Sequence, residues 1–227
     1  MRVLVTGGAG YIGSHTCVEL LKAGHEVFVI DNLSNGHEAA LDRIRLITNC
    51  ELQFMNADIR DSNVLDKIFN TFKPDSVIHF AGLKAVGEST ADPIKYYDVN
   101  VGGSISLFTA MSKAGCNNIV FSSSATVYGK PKYLPYNEEH PTNPVNPYGR
   151  TKLMIENIIH DWTKVDLKRK GTVLRYFNPV GAHESGQIGE EPIGIPNNLM
   201  PYIAQVADGR REHLNIFGND YETADGT

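Results

Sequence analysis

Cysteine is scarce in this chain. Cys17, Cys50 and Cys116 are the only three in 227 residues; they are widely spaced and form no Cys-x-x-Cys pair. That excludes a small secreted scaffold built on disulfides and fits a reduced, cytoplasmic protein. Each thiol is expected as a small buried hydrophobe. A basic excess is missing too. Lys and Arg total 21 against 26 Asp and Glu, a formal net charge of -5, which argues against nucleic acid as a partner. No apolar run approaches the length of a membrane span, so no membrane partner is expected. No leader is expected either, because Arg2 runs straight into Val3-Leu4-Val5, which reads as a first strand. Internal repeats and low-complexity stretches are absent.

What remains is ordinary globular material, 41% hydrophobic and 21% charged, long enough for one domain with a sizeable core or a domain plus a small lobe. Short apolar runs alternate with helical patterns. Strands are expected at 3–5, 27–30, 51–55, 76–80, 118–122 and 172–177. Helices are expected at 12–23, from an Asp61 cap to Phe72, at 93–115, and from an Asn146-Pro147 start to Lys164. This alternation predicts an α/β fold, a doubly wound parallel sheet. The proline-rich stretch 130–147 reads as a surface loop near the site. Beyond Asn178 the texture changes: 181–196 is loop-like, 196–207 has a helical pattern, and Leu214-Asn215-Ile216-Phe217 is expected as an edge strand. The polar stretch up to Thr227 reads as an interruption, so that the chain is expected to be C-terminally truncated.

One segment carries chemistry at once. Thr6-Gly7-Gly8-Ala9-Gly10-Tyr11-Ile12-Gly13 follows the first strand and opens the first helix. Both Gly8-x-Gly10-x-x-Gly13 and Gly7-x-x-Gly10-x-x-Gly13 fit a dinucleotide turn of Rossmann type. A side chain there would keep the backbone away from a pyrophosphate, and the helix N-terminus offers that anion free N–H groups and a positive partial charge. Asp31 ends the second strand, placed to accept hydrogen bonds from an adenosine ribose and to repel a 2′-phosphate. NAD rather than NADP is therefore expected. Asp58-Ile59, after the third strand, is placed to meet the adenine; a loop-capping aspartate is the competing reading.

Far downstream, Tyr148 and Lys152 stand at i and i+4 on one helix face, after Ser122-Ser123-Ser124. An ordinary phenol is a poor base at neutral pH. The Lys152 ammonium is expected to stabilise the phenolate and lower the Tyr148 phenol, making it a usable base. Ser124 would hydrogen-bond the same substrate hydroxyl. His79 lies in an apolar strand with no second ligand at metal spacing, so it is expected as a packed histidine, with no metal. The charge cluster at 164–170 reads as a solvated helix end, and Tyr96 and Tyr97 as packing or subunit contact.

The segments 6–15, 79–89, 122–129, 148–152, 175–182 and 195–202 together resemble the extended short-chain dehydrogenase/reductase family, and most closely its UDP-hexose 4-epimerases. The resemblance covers essentially the whole chain. It implies interconversion of UDP-glucose and UDP-galactose by transient oxidation at C4 with a retained NAD. Tyr148 would be the base, Ser124 its helper, and Lys152 the holder of the nicotinamide ribose. It implies that Tyr11 and Ile12 meet the pyrophosphate, and that Asp31, Asn32, Leu33, Ser34, Asn35 and Gly36 wrap the adenosine ribose. Phe80, Ala81, Gly82, Lys84, Ser122 and Phe177 would flank the cofactor, with Asn100 in a supporting position. Lys84, Asn178, Asn198, Leu199, Asn215, Ile216 and Phe217 would join Ser124 and Tyr148 in holding the UDP-hexose. Residues 1–178 would form the NAD-binding domain and 179–227 part of a smaller substrate-binding lobe. A homodimer is implied, through the helices at 93–114 and 147–164. Two rivals stay open. A sugar-nucleotide 4,6-dehydratase is disfavoured because Ser124-Ala125-Thr126 lacks the carboxylate that elimination needs. A non-catalytic NAD-binding fragment is disfavoured by the intact Ser124, Tyr148 and Lys152.

Overall fold

A computed structural model describes every residue except Asn197, Phe217 and Thr227. Six strands form one parallel sheet: Arg2–Thr6 (β1), Glu26–Asp31 (β2), Gln53–Asn56 (β3), Ser76–His79 (β4), Asn118–Ser124 (β5) and Lys170–Tyr176 (β6). Their order is β3-β2-β1-β4-β5-β6. The fold is the doubly wound α/β arrangement that the sequence predicts. Between β1 and β4 the winding reverses, and a sheet of this kind binds ligands beyond the strand C-termini at that point.

Alternation along the strands explains why both sheet faces are covered. Val3, Val5, Val27 and Val29 pack with Cys17, Val18 and Leu21 of Tyr11–Lys22 (α1) and with Leu41 and Ile44 of Glu38–Thr48 (α2). Leu4, Phe28, Ile30 and Phe121 point the other way. They meet Ser62–Thr71 (α3), Gly103–Ala114 (α6) and Pro147–Val165 (α7) through Phe69, Leu107 and Trp162. Successive strand side chains alternate faces, so a strand buried on both reads as a continuous apolar run. Each fully buried Leu, Ile or Phe contributes about 2–3 kcal/mol relative to exposure. Asp61 caps α3 by accepting from Asn63 and Val64 N–H, and Asn146 caps α7 ahead of Pro147.

The helix expected over 93–115 is three consecutive pieces: Pro93–Tyr96 (α5), a π-helical turn at Tyr97–Gly102, and α6. Two helices were not foreseen, α2 and the short Val86–Ala91 (α4). The chain divides into two compact units, Met1–Gly189 and Glu190–Thr227. The second contains Leu199–Ala207 (α8), which starts three residues later than the sequence pattern indicated. The expected edge strand is a correction: Leu214, Asn215 and Ile216 belong to no strand, and Phe217 lies outside the described residues. A strand exists only where another strand supplies its hydrogen bonds, and none of the described strands pairs with this run. Cys17 and Cys116 are buried and Cys50 is half-buried, all three free. Burial pushes the Cys17 thiol up to about 12, so it is an inert hydrophobe. Among the described residues no helix is long and apolar enough to cross a membrane.

Candidate active site

The glycine turn is fixed by contacts that leave no space for side chains. Gly7 has φ +73°, and a Cβ on it would lie 2.6 Å from the Ala81 nitrogen after β4. A Cβ on Gly13 would lie 2.2 Å from the Gly7 carbonyl oxygen. The start of α1 is thereby pressed against the end of β1. At Gly10 the situation differs: its Cβ would meet only that same oxygen, at 3.4 Å, so this residue faces open space. Gly10 N-caps α1 without a side-chain acceptor, and the first turn carries no acidic residue. A helix N-terminus left open beside a glycine cradle fits a pyrophosphate.

Asp31 at the end of β2 accepts from the Ala9 N–H at 3.0 Å and the Leu33 N–H at 2.9 Å. Burial raises its carboxyl, and these two bonds lower it again. The Asn32 side chain donates to Asp58 at 3.1 Å and accepts from the Ser34 N–H at 3.1 Å. Gly36 lies against Ala9, within 3.0 Å for a built Cβ, and Asn35 is exposed. The loop 32–36 thus borders the glycine turn. If Asp31 reads the ribose hydroxyls, its charge rejects a 2′-phosphate. NADP is therefore expected to bind at least about tenfold more weakly than NAD in a titration of the stripped protein, and Asp31→Ser is expected to narrow that gap. Equal affinities in the parent would remove this role.

Asp58 is engaged on both sides. Arg60 donates to it from Nε at 3.0 Å and Nη2 at 2.8 Å, and holds its carboxyl down to about 2. Ile59 points into the core, against Gly103. What this segment can offer an adenine is its edge and the Asp58 carboxylate, not the Ile59 side chain. After β4, Phe80 and Ala81 donate their N–H groups to the Thr6 carbonyl, at 2.9 and 3.1 Å. Gly82 and Lys84 are exposed beyond them.

Ser124, Tyr148 and Lys152, the catalytic candidates of the sequence, come together at the C-terminal end of β5. Ser124 is nearly buried, and its Oγ accepts from the Thr126 N–H at 3.2 Å and the Thr126 hydroxyl at 2.9 Å. Both of its lone pairs are occupied, so its own O–H is the free valence and acts as a donor. It hydrogen-bonds Tyr148, which lowers the phenol, whereas burial raises it. Burial is the larger effect, and here the expectation that Lys152 lowers the Tyr148 phenol is corrected. The Lys152 Nζ sits 5.8 Å from the Tyr148 ring centre and donates to the Ser122 carbonyl at 2.8 Å. Burial pushes the Lys152 ammonium itself down to about 8.

The helix carrying this pair is anchored by Ser89 and Thr151, which sequence reasoning missed, and by Asn100, which it expected in a supporting position. Ser89 on α4 accepts from the Tyr148 N–H at 3.1 Å, and Thr151 donates to the Tyr148 carbonyl at 2.7 Å. Asn100, in the π-helical turn, donates to Thr151 Oγ1 at 3.1 Å and exchanges two bonds with the Leu83 backbone. A π turn is rare and frequent at functional sites, and this one carries the buried Asn100. His79 is a packed histidine as expected, bonded to Thr6 Oγ1 at 2.7 Å and Ser104 Oγ at 2.9 Å, with burial taking it down to about 3. The Ser124-x-Thr126 spacing is a local signal that could have found Thr126; nothing local points to Ser89.

Phe177 is 62% exposed, with Tyr136 of the 130–147 loop 6.0 Å from its ring, and Asn178 is exposed beside it. In the second unit, Asn198 donates to Glu190 at 2.9 Å, and Leu199, Asn215 and Ile216 are exposed. Among the described residues no cluster could hold a metal ion.

Residues 3–225 match the model of the NAD dependent epimerase/dehydratase family. The chain is 58% identical to UDP-glucose 4-epimerase of Bacillus subtilis over 227 residues, all of this chain and 67% of that one. It is 56% identical to UDP-glucose 4-epimerase 2 of Arabidopsis thaliana, covering 99% of this chain and 65% of the relative. Among solved structures, UDP-glucose 4-epimerase from Bifidobacterium longum in complex with NAD+ and UDP superposes with TM-score 0.97 at 50% identity, over all of this chain and 68% of that one. The chain thus spans about two thirds of the length of the relatives that it matches. A nucleotide cradle at the sheet's switch point, a Ser-Tyr-Lys set beside it and whole-chain identity at this level converge: the chain belongs to the NAD dependent epimerase/dehydratase family, in its UDP-glucose 4-epimerase branch.

Proposed function

We propose that this chain carries the cofactor site and the catalytic residues of an isomerase that interconverts UDP-glucose and UDP-galactose. The observation that carries this reading is the grouping of Ser124, Tyr148 and Lys152 at the C-terminal end of β5, on the same edge of the parallel sheet as the glycine turn that follows β1. NAD fits the cradle: Gly7 to Gly13 and the N-terminus of α1 would hold its pyrophosphate, and Asp31 its adenosine ribose. When bound, it supplies reversible hydrogen acceptance at the sugar C4.

The chain's own residues handle the proton. Tyr148 takes it from the C4 hydroxyl and returns it after the sugar has turned over. Ser124 donates its hydroxyl hydrogen to the oxygen on which charge develops, because Thr126 fills its lone pairs. Lys152 brings a positive charge against the back of the Tyr148 ring and holds the nicotinamide ribose. Asn100, Thr151 and Ser89 keep the α7 backbone still while this happens. Elimination of water is disfavoured because the neighbours of Ser124 are Ala125 and Thr126, and neither is an acid. Phe80, Ala81, Gly82, Lys84, Ser122 and Phe177 would flank the cofactor. Lys84, Asn178, Asn198, Leu199, Asn215, Ile216 and Phe217 would contribute to the UDP-hexose pocket. In this proposal residues 1–178 are the NAD-binding part and 179–227 a part of the substrate lobe. Free, mostly buried cysteines support a cytoplasmic location. Exposed Ile94, Ile105 and Met154 on α5, α6 and α7 support a homodimer through those helices.

The test is incubation of the purified chain with UDP-galactose and no added cofactor. UDP-glucose is expected to appear, catalysed by retained NAD. A folded, NAD-containing sample that forms none would overturn the isomerase reading for this chain.

A further inference from the structure

Glu156 lies on α7 one turn beyond Lys152 and two beyond Tyr148, so all three share a helix face. It is 9% exposed, a setting in which a carboxylate persists only when paired. Arg175 on β6 grips it twice, from Nη2 at 2.8 Å and from Nε at 3.1 Å, and Ser123 on β5 donates its hydroxyl to the same carboxylate. Arg175 is itself laid over the Tyr128 ring, 4.8 Å from its centre. Two successive residues of β5 therefore hold the two buried charges of α7: the Ser122 carbonyl takes Lys152, and the Ser123 hydroxyl takes Glu156. The proton transfer proposed above uses neither Glu156 nor Arg175.

Lys152 is 5% exposed, and that burial opposes its charge; the Ser122 carbonyl and the Phe121 ring, 4.9 Å from Nζ, favour it. The titratable groups that couple to it or lie against it are Tyr148 and Glu156 on its own helix and neutral His79 on β4; on the neighbouring strand β6, Arg175 and Tyr176 stand opposite Ser123 and Ser124. The elements packed on the start of α7 add Glu88, Lys95, Tyr96 and Asp98. Glu88 is bonded to Lys95 and Tyr96, and Asp98 is paired with Arg60, so each is already engaged locally. Burial pushes the Lys152 ammonium down, and Glu156 pulls it back up.

We propose that Glu156 is a positioning residue for the catalytic pair: clamped by Arg175 and Ser123 one helical turn from Lys152 on the same buried face, its carboxylate supplies the negative charge that favours a cation beside Tyr148 during proton transfer. The role rests on the isomerase reading; the charge coupling beneath it does not. Lys152 ionisation is read directly from the side-chain methylene shift in chain labelled with 13C-lysine, assigned by its loss in Lys152→Arg. In Glu156→Gln the Lys152 midpoint is expected to fall by about one pH unit or more, and in Glu156→Asp to stay near the parent's. The alkaline decline of kcat should move down with it while the KM for UDP-galactose holds. Glu156→Gln leaves Arg175 without its partner and endangers the fold. Glu156→Gln/Arg175→Met removes both charges, and there the midpoint falls by a smaller amount. An unmoved Lys152 midpoint in whichever variant folds overturns the proposal. The titration needs no turnover, so an inactive parent would count against the isomerase reading while the coupling is judged on its own.

Discussion

Tyr148→Phe is expected to lower turnover of UDP-galactose by about 10²–10⁴-fold, the range that a positioned acid–base group contributes, with the fold and the retained NAD unchanged. The substitution removes one oxygen. The ring keeps its place, because α7 is held through the Tyr148 backbone: its N–H bonds to Ser89 and its carbonyl accepts from Thr151. The lost partner of the Ser124 hydroxyl costs about 1 kcal/mol of stability, since Ser124 Oγ keeps the two bonds that it accepts, from the Thr126 N–H and the Thr126 hydroxyl. A kcat effect without a comparable rise in KM is the signature of a group that acts in the transition state. Turnover within tenfold of the parent would take Tyr148 out of the chemistry. A large loss accompanied by loss of NAD would make it a binding residue instead.

Gly13→Ala is expected to destabilise the chain by about 2–3 kcal/mol or more and to abolish NAD retention. The added methyl would stand 2.2 Å from the Gly7 carbonyl oxygen and 2.8 Å from the Gly8 Cα. Both are backbone atoms, so no flexible side chain can swing aside. The turn itself would have to open, against the Gly7 N–H bond to the Ile30 carbonyl at 2.9 Å and the Ala9 N–H bond to Asp31 at 3.0 Å. Gly10→Ala separates fold from binding. There the methyl meets one atom at 3.4 Å and the cap changes by under about 1 kcal/mol, so the melting temperature should barely move. The methyl would nevertheless occupy the approach to the helix N-terminus, and NAD affinity should drop by about tenfold or more. Thermal melts and NAD titrations of both variants check this. A Gly13→Ala protein that melts and binds like the parent would show that the turn is looser than its contacts require.

Much of this molecule was legible in the sequence because the signals were local. Continuous apolar runs along β1 and β2 named the strands, since a strand buried on both faces must be apolar throughout. Asp61 and Asn146-Pro147 marked helix starts because a cap satisfies N–H groups two or three residues away. The glycine turn was readable because its constraint lies between residues six apart, Gly7 and Gly13. Tyr148 and Lys152 were readable because four residues on a helix make one face. α2 was not, because its buried side consists only of Leu41 and Ile44 and its N-cap carries no side-chain bond.

What the tertiary structure alone decided is everything that depends on strands far apart in the chain. A run such as Leu214 to Ile216 looks like a strand by itself, yet pairing needs a neighbour that the run cannot name. The proton affinity of Tyr148 looked like a question about Lys152, four residues away; burial by the surrounding elements outweighs it, because desolvation is a property of the whole enclosure. Ser89, Asn100 and Arg175 reach α7 from α4, the π-helical turn and β6, across 59, 51 and 19 residues. Sequence specified which side chains are the candidates for its chemistry. Packing determined which of them touch, and so how the charge on Lys152 and the direction of the Ser124 hydroxyl are set.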